Sequence, residues 1–89
     1  MEKEISQDTG RPYIENQNIR IFSKETTEDE LVWHRDYEDR IIEPLNETDW
    51  KFQYDNNNPE RLKRLFIRKG VYHRLIKGTG DLKLKVIKL

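Results

Sequence analysis

In Trp50-Lys51-Phe52-Gln53-Tyr54, three aromatic residues alternate with two polar ones. That period of two suits a half-buried β-strand and no helix. Asp55-Asn56-Asn57-Asn58-Pro59 closes the run at once, and such a cluster of Asx residues and proline marks a turn. The same punctuation recurs along the chain at intervals of roughly ten residues. Ile19–Phe22, Leu31–Arg35, Arg40–Glu43, Leu65–Ile67, Val71–Lys77 and Asp81–Leu89 all read as short strands. Pro44, Asn46–Asp49, Lys69-Gly70 and Gly78-Thr79-Gly80 separate them. Between Ser23 and Glu30 a capping signal at Thr26 or Thr27 leaves room for about one helical turn. About seven short strands without a convincing helix predict an all-β chain. Short strands of this kind close into a small barrel or a two-sheet sandwich, which removes or shelters exposed strand edges.

Charged residues make up 38% of the 89-residue chain and hydrophobic ones 34%. Evenly mixed, that composition would oppose folding. The apolar residues are not evenly mixed: positions 1–17 contain only Met1, Ile5, Tyr13 and Ile14. A flexible N-terminal arm over 1–17 and one folded domain over 18–89 are therefore expected. Charge is also segregated. Residues 1–59 carry 7 Lys and Arg against 15 Asp and Glu, and residues 60–89 carry 10 against 2. The two halves neutralise each other if their strands are neighbours. No clustering of cations with exposed aromatics is visible along the chain, so the sequence calls for no nucleic-acid partner. No apolar run reaches the ~20 residues of a membrane span. With no cysteine in the chain, disulfides and thiolate chemistry are excluded; that fits a reducing, cytoplasmic setting.

The chemistry-bearing residues fall in two stretches. Leu65-Phe66-Ile67-Arg68-Lys69-Gly70-Val71-Tyr72-His73-Arg74 runs from a strand through a glycine turn to a histidine three residues after Gly70. Trp33-His34-Arg35-Asp36 carries the other histidine, followed by Arg40, a turn at Asn46–Asp49 and the Trp50–Tyr54 strand. The first stretch resembles the second conserved motif of the cupins, and the second resembles a degenerate first motif. Arg68 stands where that family has proline, Asp36 where it has a second histidine, and Arg40 near its glutamate; the turn at 46–49 lacks the family's glycine. The resemblance covers about residues 19–89. It implies a small jelly-roll β-barrel, a pocket for a small molecule, and a homodimer.

Side-chain chemistry supports a site independently. His34 and Asp36 lie two apart on one face of a strand and can share an ion with His73 reaching from a facing strand. Two imidazoles and a carboxylate suit divalent Fe, Mn, Ni or Zn. Arg40 has two possible roles. Pointing inward, it pairs with Asp36, repels a cation and favours an anionic ligand; pointing outward, it leaves the pocket to the metal. Gln53, opposite the aromatics of its strand, is a further candidate for the pocket lining. The expected function is thus a metal- or small-molecule-binding barrel, enzymatic or not, lined by His34, Asp36, Arg40 and His73. In the alternative, the same residues only hold together a structural or interaction barrel. No serine sits in a glycine-flanked elbow, and no glycine loop has the context for cradling phosphate.

Overall fold

Period-two burial is clearest at the end of the chain, where Leu82, Leu84 and Val86 are buried and Lys83 between them is exposed. This strand is the longest among the described residues and sits in the middle of its larger sheet. The structure, a computed structural model, describes residues 12–89. Its strands are β1 (Ile14–Asn16), β2 (Ile19–Phe22), β3 (Arg40–Pro44), β4 (Lys51–Tyr54), β5 (Glu60–Arg61), β6 (Leu65–Ile67), β7 (His73–Ile76) and β8 (Leu82–Lys88). The only helical element among the described residues is a 3-10 turn, Glu28–Glu30, where the Thr27 N–H donates to Glu30 Oε1 at 2.9 Å. The chain is all-β, as the turn spacing predicts.

Two antiparallel sheets form, in the orders β1-β2-β8-β3-β6 and β5-β4-β7. The described residues do not form a closed barrel. A short bridge, His34 with His73, adds residues 32–35 to the outer edge of β7. Four of the pairings are nested, β4 with β5 innermost, then β3 with β6, His34 with His73, and β2 with β8 outermost, while β3–β8 and β4–β7 join these arms into the two sheets. The chain therefore behaves as one long hairpin folded over on itself. Between the sheets Phe22, Leu31, Ile42, Trp50, Phe52, Leu62, Ile67, Leu82, Leu84 and Val86 form the core. Trp50 is 1% exposed and donates its indole N–H to the Gly80 carbonyl at 2.7 Å, so its one polar atom is satisfied.

The strands differ from the sequence expectation in three places. Leu31–Arg35 is not a continuous strand. It lies at an edge, exchanges only the two His34–His73 backbone bonds with β7, and leaves Val32 and Trp33 exposed. Its β-forming side chains lack a second neighbouring strand to pack against. Ile14–Asn16, inside the expected arm, instead forms β1 and pairs with β2; positions 1–11 of that arm lie outside the described residues. Glu60–Arg61, outside the strands expected from the sequence, pairs with β4 as β5.

Candidate metal centre

The site is built by one turn clasping one loop. Gly70 has φ +80°, a left-handed conformation that costs glycine little. There its N–H donates to the Asp36 carbonyl at 2.9 Å, and the neighbouring Lys69 N–H donates to Asp39 Oδ1 at 2.8 Å. The turn entering β7 thus fixes the loop that carries Asp36. Beside it, His34 and His73 exchange N–H···O bonds of 3.0 and 2.9 Å, which sets the two rings on the same face of the ribbon. The rings meet edge-on with centroids 4.4 Å apart, and Phe52 stacks on His73 at 5.5 Å.

Hydrogen bonds assign the protons on both rings. His73 Nδ1 lies 2.9 Å from the Val71 carbonyl, and His34 Nδ1 lies 3.0 Å from the Val32 carbonyl. A carbonyl only accepts, so Nδ1 carries a hydrogen on both rings, and Nε2 is the atom left to offer a lone pair when the ring is neutral. Asp36 is 7% exposed and His73 4%. Asp36 Oδ2 lies 3.3 Å from His73 Nε2, yet no group donates a hydrogen bond to it. Burial pushes the His73 pKa below its ordinary 6.5, and the nearby His34 and Arg40 act in the same direction. The Val71 carbonyl and Asp36 oppose that shift without reversing it. Two acceptors therefore face each other in a buried place, where an unsatisfied polar atom is costly. One donor atom each from His34, Asp36 and His73 lies within 4.8 Å of the others. Tetrahedral ligation at ~2.0–2.1 Å would draw such donors to about 3.3 Å, a movement the exposed His34 ring can make.

Arg40 lies on the same side. Its Nη1 is 3.3 Å from Asp36 Oδ1, and its Nε pairs with Glu38. The guanidinium holds one carboxylate oxygen of Asp36 and leaves Oδ2 facing the histidines. These residues line a cavity of about 390 Å³ floored by Phe22, Ile42, Leu84 and Val86. That volume suits a small organic molecule. The structure thus brings together four of the five residues singled out from sequence. Gln53 does not join them: its Oε1 accepts from Arg74 at 2.9 Å and its Nε2 donates to the Asn57 carbonyl, on the opposite face of β4. Glu38 and Asp39, the other nearby acids, are held by Arg40 and by the Lys69 N–H.

Sequence reasoning missed a repeat. Val32-Trp33-His34-Arg35 and Val71-Tyr72-His73-Arg74 have the same Val-aromatic-His-Arg order. Laid antiparallel about the His34–His73 bridge, they are related by a local two-fold. Arg74 sits over Trp33 at 4.6 Å and Arg35 over Tyr72 at 5.2 Å. Each valine carbonyl orients the histidine two residues on. Aligning the two tetrapeptides would have exposed this. Comparison of the chain with protein-family models, with curated proteins and with solved structures finds no match in any of the three. No described helix is long and apolar enough to cross a membrane.

Proposed function

We propose that His34, Asp36 and His73 hold a divalent metal ion at the mouth of a small-molecule pocket. The observation that carries this reading is Asp36 Oδ2, buried without a hydrogen-bond donor and facing the lone pair of a histidine kept neutral by burial. A cation satisfies both atoms at once. Two imidazoles and one carboxylate suit Fe(II), Mn, Ni or Zn and leave coordination positions open toward the cavity. The bound ion would supply Lewis acidity or a site for oxygen; the protein orients the imidazoles through the valine carbonyls and keeps the floor apolar. The nested pairing supports a cupin-like jelly roll, whose two sheets take alternate segments of one folded hairpin. A cysteine-free chain suits cytoplasmic conditions.

The resemblance also implies a homodimer. Its interface would be the outward face of the larger sheet, where Ile14, Ile21 and Phe66 are 73%, 39% and 50% exposed. A monomer in sedimentation analysis would rule this dimer out.

Elemental analysis of the tag-free protein tests the metal reading. Near-stoichiometric metal that disappears in His73→Ala is the expected result. The inward Arg40, paired with Asp36, favours a second reading, in which no cation is held and the pocket takes an anionic small molecule or the cluster only braces the loop. Metal-free protein that gains no thermal stability from added Fe(II), Mn, Ni or Zn would establish that reading instead.

A further inference from the structure

The opposite face of the same ribbon carries different chemistry. Register places Arg61 beside Lys51, Lys51 beside Ile76, and Gln53 beside Arg74. The His34–His73 bridge then continues the rows to Trp33 and Arg35. Lys51, Arg61, Arg74 and Arg35 thus converge on one outward sheet face, drawn from four segments distant in sequence. None of the four makes an ion pair among the described residues, whereas Arg20 and Arg40, which line the cavity, are both paired with carboxylates. Acids flank this face at one end: Glu47, Asp49 and Asp81 share a surface cleft with Arg61, and Asp49, which accepts from the Thr79 N–H and hydroxyl, also feels the charge of Lys51. Trp33 and Tyr72 lie among these cations, 40% and 43% exposed, and each has a guanidinium stacked on one side.

We propose that this face binds single-stranded nucleic acid, with bases stacking on the Trp33–Arg74 and Tyr72–Arg35 pairs and phosphates held by Lys51 and Arg61. Aromatic rings and guanidinium planes both accept stacked bases without regard to sequence, and unpaired cations supply the backbone contacts. A sheet face this small spans two or three nucleotides, so binding is weak and salt-dependent. With phosphates held at Lys51 and Arg61, the logarithmic salt slope is expected to be about −1.4. The metal ligands point to the other side of the ribbon, so this binding is independent of the pocket.

The test uses the full chain and fluorescein-labelled mixed-sequence 12-mers of single-stranded DNA and RNA at low salt. Of the two tryptophans, Trp50 is 1% exposed, so any quenching by stacked bases reports on Trp33. Saturable anisotropy with quenched tryptophan emission is expected. Trp33→Ala should weaken binding at least ~5-fold. The double variant Lys51→Gln/Arg61→Gln should weaken it at least ~5-fold, and both positions are exposed, so urea unfolding of the variant should match that of the parent. No anisotropy change at low salt would overturn the proposal. So would binding that leaves tryptophan emission unchanged, or equal affinity for duplex DNA or a sulfated polysaccharide that survives Trp33→Ala.

Discussion

Val32-Trp33-His34-Arg35 and Val71-Tyr72-His73-Arg74 place the same kinds of side chain in the same order, and they face each other across one bridge. Their surroundings differ. His73 starts β7, has β4 on its other side, and is 4% exposed with Phe52 stacked on it. His34 stands at the edge of the sheet and is exposed. One pattern therefore yields a rigid half and a movable half. In the proposed metal site, His73 would be the preformed ligand and His34 the one that completes the set.

That comparison can be broken at several points. The largest effect is expected at His73. His73→Ala removes a packed, hydrogen-bonded side chain and should cost about 2–4 kcal/mol in urea unfolding as well as all metal binding. Equal stability of His73→Ala and His34→Ala would show that the two halves are not unequal. Next comes Arg40→Met. Leaving Asp36 buried beside one fewer cation should destabilise the metal-free protein by about 2 kcal/mol, discounted from the cost of a fully buried pair because Arg40 is 15% exposed. If an ion occupies the site, saturating Zn²⁺ should recover most of that loss in a melting experiment, since the ion replaces the guanidinium charge. Failure of Zn²⁺ to recover it would leave Arg40 as the only cation Asp36 uses.

His34→Ala is a smaller perturbation to the fold, within about 0.5 kcal/mol for an exposed edge residue. Its metal affinity should nevertheless fall ~10–100-fold, measured by competition with a chromogenic chelator. Unaltered affinity would remove His34 from the ligand set. The smallest effect is a pH dependence. With the His73 pKa below 6.5 in the folded state and near 6.5 in the unfolded one, the unfolded chain binds more protons between those values. Stability then rises with pH across that window and falls as pH drops through about 6.5. Metal-free protein should show this slope in urea midpoints, and His73→Gln should flatten it. An unchanged slope in His73→Gln would assign the titration elsewhere.

Much of this protein is legible in its sequence because strand periodicity and turn chemistry act locally. Trp50–Tyr54 and Leu82–Lys88 announce which side chains face inward, and Gly70 announces the turn that enters β7. His34, Asp36, Arg40 and His73 were recognisable as chemistry-bearing residues from type and spacing. What spacing cannot supply is the pairing partner of each strand. Only the folded hairpin puts Leu31–Arg35 at an edge, where it lacks a second neighbour and remains a bridge. It also turns Gln53 toward Arg74 and away from the pocket. The direction of Arg40 was open because a strand residue near a bulging loop can face either side; the ion pair with Asp36 decides it. The cation-rich outer face was invisible for the same reason. Arg35, Lys51, Arg61 and Arg74 are scattered along the chain, and only sheet register, a long-range property, makes them neighbours.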